Sequence, residues 1–149
     1  MEKTITFLNS AVGVKIATIH QYFYFHFHFD DQGHRVLADL FKKTALDEIE
    51  QLEKLATRIL FLKGDIDLTP RQKLRMIKSV DEMLAVAIEM ENRSKRNYRK
   101  WSKQCSLLND AWSADLFEKL ALEEKVHQEQ FATEIRRIRE LESDYLAVF

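Results

Sequence analysis

Three glutamates and one histidine occupy helical positions whose neighbours are mostly apolar: Glu48, Glu91, Glu124 and His127. A buried carboxylate is costly unless a cation compensates its charge. Glu124 and His127 are three residues apart, so both side chains can reach one metal ion from the same face of a helix. These residue types predict a buried metal centre. The alternative is that the glutamates lie partly exposed at the edges of a helical bundle.

The two halves of the chain repeat this pattern with one spacing. Glu91 precedes the Glu-x-x-His motif by 33 positions, and Lys15 precedes Glu48-x-x-Gln51 by the same 33 positions. Two-metal sites in helical bundles take one Glu from each of two helices and Glu-x-x-His from each of the other two. Lys15 and Gln51 are therefore interpreted as degenerate ligand positions, where Glu and His are expected. Glu89 is the rival to Glu91, and the repeated offset favours Glu91.

The charge of these side chains predicts how many ions they hold. A complete set of four carboxylates, −4, balances two divalent ions, whereas three carboxylates and one ammonium sum to −2 and balance one. We expect the ammonium of Lys15 near the place of the first ion. The second ion would then be held by Glu48, Glu91, Glu124 and His127. A metal-free network bridged by the lysine and a two-ion site are the alternatives.

The elements that position these residues are helices. Apolar residues recur at helical spacing in four long stretches, at about 4–30, 35–63, 79–107 and 111–140. Gly64 is interpreted as the end of the second helix, and Ser79-Val80-Asp81-Glu82 as a capping box that opens the third. Residues 143–149 are predicted to form a short fifth helix.

The connection between the second and third helices is long. Residues 64–78 carry the chain's single proline and little periodicity. About 15 residues at about 3.3 Å each can reach roughly 50 Å, which is the length of a long helix. The third helix can therefore run parallel to the second. The sequence predicts an all-α, ferritin-like four-helix bundle with a long crossover; an up-down bundle with short loops is the alternative.

Composition limits the partners of this chain. Its 149 residues predict one domain, 1–149, and its net charge of −1 does not predict nucleic-acid binding. The basic run Arg93–Lys103 is interpreted as a solvated helix face. No apolar run approaches the roughly 20 residues that span a bilayer, so we expect no membrane contact. Cys105 is the single cysteine, and the N-terminus has no signal-peptide pattern, which together favour a cytoplasmic protein.

Several stretches resemble a bacterioferritin, and the resemblance covers nearly the whole chain. They are Ile19-His20-Gln21-Tyr22-Phe23, Asp47-Glu48, Arg58-Ile59-Leu60-Phe61-Leu62-Lys63-Gly64, Val80-Asp81-Glu82-Met83-Leu84, Glu91 and Glu124-x-x-His127. The resemblance implies ferroxidase activity and an iron-storage subunit in a hollow 24-subunit cage built from two-fold dimers. It also implies haem at the dimer interface, held by a methionine where this chain has Ile49. Haem binding is therefore not expected.

The resemblance also implies a role for Tyr22, which matches a tyrosine near the family's iron site. That tyrosine could donate an electron, although packing in the core is the interpretation we favour. The aromatic residues of the first helix cover several of its sides, which indicates burial in an oligomer interface as well as in the core. They include Phe23, Tyr24, Phe25, Phe27 and Phe29.

Three functions follow from these observations. The first is iron storage or iron homeostasis by a subunit that has an impaired ferroxidase centre and binds one iron ion. The second is a metal-free structural subunit, either in a homo-oligomer or as the hetero-oligomer partner of an active paralogue. The third is an active ferroxidase with an altered site. Because two of six expected ligands are replaced, no catalytic residue is assigned and enzyme activity is left open.

Overall fold

The computed structural model describes the backbone of residues 1–148 and the side chains of residues 1–141. Its four helices are α1 (Glu2–Asp31), α2 (Arg35–Phe61), α3 (Val80–Leu107) and α4 (Ala111–Val148). No strand occurs within residues 1–148, which confirms the all-α prediction. The predicted fifth helix, 143–149, lies outside the residues whose side chains are described; α4 is traced there to Val148. None of the helices described is long and apolar enough to cross a membrane.

The helices form two antiparallel pairs, α1 with α2 and α3 with α4, joined by the long crossover, residues 62–79. This crossover runs the length of α1 and is tied to it at successive points. In order, Asn9 binds the backbone of Asp65 and Asp67, Gly13 that of Arg71, Gln21 that of Arg75, and Gln32 that of Lys78. The crossover therefore returns the chain to the end where α2 began, and α3 runs parallel to α2 as predicted.

Left-handed residues end the first three helices. Gly33, Lys63 and Asn109 have φ angles of 82°, 67° and 61°. The prediction that Gly64 would end α2 was close, but Lys63 takes the left-handed conformation. Gly64 is required for a different reason: a Cβ there would lie 2.7 Å from Cγ2 of Ile5. Ser79 is the N-cap of α3 as predicted, although its side chain makes no capping hydrogen bond.

Two apolar clusters fill the bundle, one toward each end. The first joins α1 and α2 to α3 and α4 around residues such as Leu8, Leu55 and Phe117. The second is aromatic, and in it the rings of Phe41 and Phe131 stack with centroids 4.7 Å apart. Burying one such side chain contributes about 1.5–3 kcal/mol, so these clusters stabilise the bundle. The polar residues singled out from the sequence lie between the two clusters.

Candidate metal centre

All six positions identified from the repeated offset meet in the middle of the bundle. α1 contributes Lys15, α2 contributes Glu48 and Gln51, α3 contributes Glu91, and α4 contributes Glu124 and His127. None is more than 3% exposed. Each lies on the apolar face of its helix. Because that face packs into the bundle, the polar side chain on it is buried. The rival Glu89 is exposed and pairs with Arg93 on the outside of α3.

Four of these side chains point ligand atoms at one another. Suitable atoms of Glu48, Glu91, Glu124 and His127 all lie within 4.8 Å of one another. Nδ1 of His127 lies 3.3 Å from Glu48 Oε1, 3.5 Å from Glu91 Oε1 and 3.6 Å from Glu124 Oε1. Three buried atoms here have no hydrogen-bond partner among the described residues: Glu48 Oε1, Glu91 Oε2 and His127 Nδ1.

The unpartnered atoms fit a metal ion. A buried polar atom without a partner costs about 1–3 kcal/mol, and a cation bound by all three would remove that cost. Imidazole nitrogen and carboxylate oxygen together suit iron, zinc and manganese. The residues present therefore match a divalent transition-metal ion in both chemistry and spacing.

Lys15 fills the other half of the cluster. Its ammonium donates to Glu48 Oε2, to Glu124 Oε2 at 3.1 Å and to Ser94 Oγ at 3.2 Å. An ammonium has three donors, so all of them are satisfied. Burial alone would lower the pKa of Lys15, but the negative charges of Glu124 and Glu48 outweigh it and raise that pKa. Lys15 is therefore a fixed positive charge inside the bundle.

Gln51 is held from two sides. Its Nε2 donates to Glu124 Oε1 at 2.8 Å, and its Oε1 accepts from the hydroxyl of Tyr98 at 3.0 Å. The Tyr98 ring also lies beside Lys15, with the ammonium 5.0 Å from the ring centroid. The two replaced ligand positions are thus part of one continuous network that includes Ser94 and Tyr98.

Two further contacts orient the ligand side chains. Nε2 of His127 lies 3.1 Å from Oδ2 of the half-buried Asp47, which leaves Nδ1 directed at the glutamates. A carboxylate partner of this kind fixes the ring orientation and tautomer of a metal-binding histidine. The hydroxyl of Tyr22 donates to Glu91 Oε1 at 2.8 Å. Tyr22 is fully buried and packs edge-on against Phe41.

The carboxyl groups of the cluster differ in acidity. Burial, followed by the charges of Glu124 and Glu48, raises the pKa of Glu91 well above its usual value. Burial also raises the pKa of Glu48. Burial opposes ionisation of Glu124 too, but the charge of Lys15 and hydrogen bonds with Glu91, His127 and Glu48 together outweigh it and hold the pKa of Glu124 well below the usual value. Glu124 is therefore the carboxylate most firmly ionised.

Sequence reasoning gave no role in the centre to three residues that complete the cluster: Asp47, Ser94 and Tyr98. Ser94 and Tyr98 follow Glu91 by three and seven positions, which is the spacing of one helix face, so a signal for them existed. A serine and a tyrosine on an inward face are read as ordinary core residues unless a buried charge is known to lie beside them. Ile49, at the position where a haem-binding methionine was expected, is half-buried on α2 and offers no sulfur ligand.

Known proteins resemble this chain over most of its length. Residues 5–141 match the family model described as ferritin-like domain. The bacterioferritin of Rhodobacter capsulatus is 30% identical over 133 residues, which is 89% of this chain and 83% of that protein. The bacterioferritin of Desulfovibrio desulfuricans is 30% identical over 145 residues, which is 97% of this chain and 81% of that protein.

Solved structures agree with these matches. The R. capsulatus bacterioferritin, described with a metal-free dinuclear site and haem iron, has a TM-score of 0.90 at 28% identity, over 95% of this chain and 88% of that one. The D. desulfuricans bacterioferritin, whose di-iron site was described in different catalytic states, has a TM-score of 0.92 at 29% identity. That match covers 98% of this chain and 85% of the other.

Proposed function

This chain belongs to the ferritin-like family, and on that premise we propose that it is a bacterioferritin-like subunit for iron storage or homeostasis whose buried centre binds one ion in place of two. The ligands are Glu48, Glu91, Glu124 and His127. Lys15 and Gln51 replace the ligands of the other ion. The observation that carries this proposal is the position of the Lys15 ammonium, which bridges two carboxylates where a cation is needed.

Charge supports one ion. When all three carboxyl groups are ionised and His127 is neutral, the carboxylates contribute −3 and Lys15 contributes +1, so the cluster carries −2. One divalent ion brings the sum to zero, whereas a second would leave +2 in a buried site, which is strongly unfavourable. Two of the unpartnered atoms also lie together, because Nδ1 of His127 is 3.3 Å from Oε1 of Glu48, whereas Lys15 contacts the other oxygen of that carboxylate.

One iron ion limits the chemistry of the centre. A pair of Fe(II) ions can give two electrons to an oxidant in one site, whereas a single Fe(II) gives one. The residues of this centre therefore bind the substrate ion, exclude water and hold its charge, but they do not support paired oxidation. A subunit of this kind would take part in iron storage through an assembly, as a homo-oligomer or beside an active paralogue.

Exposed apolar side chains on α1 and α2 favour such an assembly. Phe27, Val36 and Leu46 are 64%, 65% and 49% exposed. Large apolar side chains exposed in this way are available for contacts between subunits. We propose burial of these side chains between subunits, with a 24-subunit cage as the assembly that the family implies. Light scattering tests this, because a cage and a dimer differ greatly in radius.

The second candidate is a metal-free subunit with a structural role. It is favoured by the completeness of the network around Lys15, whose three donors each have an acceptor. In this case the positive charge of Lys15 alone would compensate the buried carboxylates of the glutamates. The unpartnered His127 Nδ1 and Glu91 Oε2 favour the one-ion centre over this candidate.

Anaerobic titration with Fe(II) tests the proposal. We expect one ion per subunit, whereas two ions would refute the role of Lys15 and none would support the metal-free network. His127→Gln should abolish binding. His20→Gln is the matched control, because His20 is exposed on α1. Aerobic Fe(II) oxidation followed by absorbance then tests the remaining alternative, because rapid turnover would identify an active ferroxidase with an altered site.

The proposal also covers Tyr22 and Ile49, at the positions that the resemblance links to electron donation and to haem binding. The short hydrogen bond of Tyr22 to Glu91 and its edge-on contact with Phe41 support a packing and positioning role over electron donation. Ile49 cannot ligate iron, so we expect no haem to be bound at this position. Reconstitution with haem, followed by its Soret absorbance, checks that expectation.

A further inference from the structure

We propose that the hydroxyl of Tyr98 is a positioning group for the metal centre: it holds the Gln51 amide in place, and through that amide it places Glu124 for the ion. This inference rests on the proposed one-ion function. It assigns a role to a residue that lies outside the repeated ligand pattern and contributes no ligand atom.

The geometry supplies the first step. A side-chain amide has an acceptor end and a donor end. The ionised Glu124 can only accept, so its Oε1 takes the nitrogen end of the amide at 2.8 Å, and Tyr98 donates to the oxygen end at 3.0 Å. The hydroxyl thus holds the far end of the amide whose near end meets the carboxylate.

The second step concerns the oxygen that Gln51 holds. Glu124 Oε1 lies 3.6 Å from the unpartnered Nδ1 of His127, on the side of the cluster where the ion would bind. Without the hydroxyl, the buried oxygen of Gln51 loses its donor, so the amide is no longer fixed at that end and can shift away from Glu124. Loss of an outer partner of a metal ligand typically lowers metal affinity about 10–100-fold.

The ring of Tyr98 has a separate role that a careful variant can preserve. It lies 5.9 Å from the ring of Phe117 and 6.3 Å from that of Trp101, between centroids, and its exposure is only 1%. Tyr98→Phe keeps this packing and the face beside Lys15, and it removes only the hydroxyl. The substitution therefore isolates the hydrogen bond to Gln51.

The experiment is a double-mutant cycle on the whole protein, with anaerobic Fe(II) binding as the readout. Tyr98→Phe should weaken binding about 10–100-fold with one ion still bound. In a Gln51→Leu background the same substitution should change the affinity little, because there is no amide left for the hydroxyl to hold. Tyr24→Phe is the matched control, since Tyr24 is half-buried on α1 outside the centre.

A second measurement needs no metal. The side-chain amide of Gln51 should give shifted, slowly exchanging NMR resonances in the metal-free protein, and Tyr98→Phe should move them whereas Tyr24→Phe should not. Unchanged resonances and affinity in Tyr98→Phe would overturn the inference while leaving the one-ion centre intact. An equal loss of affinity in both cycle backgrounds would reduce Tyr98 to a packing residue. Wild-type protein that binds no ion would overturn the proposed function and this inference together.

Discussion

Nδ1 of His127 lies 3.3 Å from Oε1 of Glu48, and neither atom has a hydrogen-bond partner among the described residues. Both are buried, and the other nitrogen of the ring is already directed at Asp47. Unmet polar atoms of this kind cost about 1–3 kcal/mol each. Lys15 instead contacts the other oxygen of Glu48, Oε2, and each of its three donors has an acceptor. That asymmetry is the basis of the predictions for the centre.

Placing a glutamate and a histidine at the two degenerate ligand positions should allow a second ion to bind. In Lys15→Glu/Gln51→His the cluster gains a fourth carboxylate and a second imidazole, and its charge becomes −4 at neutral histidines. We expect anaerobic Fe(II) titration to rise from one ion to two per subunit. Lys42→Glu/Gln72→His makes the same exchange at exposed positions and should leave the number of ions unchanged. A double variant of the centre that folds and still binds one ion would contradict the role given to Lys15.

Removing the Lys15 ammonium should destabilise the metal-free protein. Lys15→Met keeps the length of the side chain, but it leaves Glu48 and Glu124 without their shared positive charge. Breaking a buried ion pair from one side costs about 3–5 kcal/mol. Urea unfolding in the presence of a chelator measures this loss, and Lys42→Met is the exposed control. A loss below that of the control would mean that the ammonium is not needed to compensate the carboxylates.

Much of the centre could be predicted because helical spacing is rigid. Residues on one apolar face of a helix point into the same bundle, so the repeated offset of 33 was enough to place Lys15 opposite Glu48 and Glu91 opposite Glu124. The same spacing favoured Glu91 over Glu89, and the structure places Glu91 in the cluster and Glu89 on the surface. The long crossover could be predicted from its length alone.

The features that could not be predicted from the sequence depend on the conformations of side chains between helices. The hydrogen bond from Tyr98 to Gln51 joins α3 to α2, and the residue types alone do not predict which side chains will bind each other. The exchange of roles at the end of α2 has a similar origin. Glycine is the usual left-handed residue after a helix, but here Lys63 adopts that conformation, and Gly64 lies where a Cβ would be 2.7 Å from Cγ2 of Ile5.

A second buried ion pair, between Arg58 and Asp110, should make stability depend on pH. Asp110 accepts from Arg58 at 2.9 Å and from the backbone and hydroxyl of Ser113 at 3.0 Å and 2.7 Å, at the start of α4. Burial alone would raise the pKa of Asp110, but the hydrogen bonds from Ser113 and Arg58 lower it below 3.8. The group therefore contributes stability at pH values above its unfolded pKa, and that contribution is lost as the pH falls through the lower, folded pKa.

Asp110→Asn tests this directly. The substitution removes the negative charge opposite Arg58, and we expect a loss of about 1–3 kcal/mol in the free energy of unfolding at pH 7. The difference from wild type should shrink as the pH is lowered below about 4. Asp115→Asn is the control, because its ion pair with Lys119 is exposed and contributes little. A difference that stays constant from pH 7 to pH 3 would show that the charge of Asp110 is not the cause.

Gly13 should resist substitution even though it lies inside α1, where alanine would ordinarily stabilise a helix by about 0.5–1 kcal/mol. A Cβ at this position would lie 2.4 Å from Cγ of Arg71 and 2.9 Å from the carbonyl oxygen of Thr69. The backbone nitrogen of Arg71 donates to the Gly13 carbonyl at 3.1 Å, so the crossover cannot move away without breaking that bond. We expect Gly13→Ala to cost about 1–3 kcal/mol in urea unfolding, as overpacking does. Gly13→Ala/Arg71→Ala should recover only part of this loss, because the Thr69 carbonyl still lies in the way; full recovery would place the whole conflict on the arginine side chain.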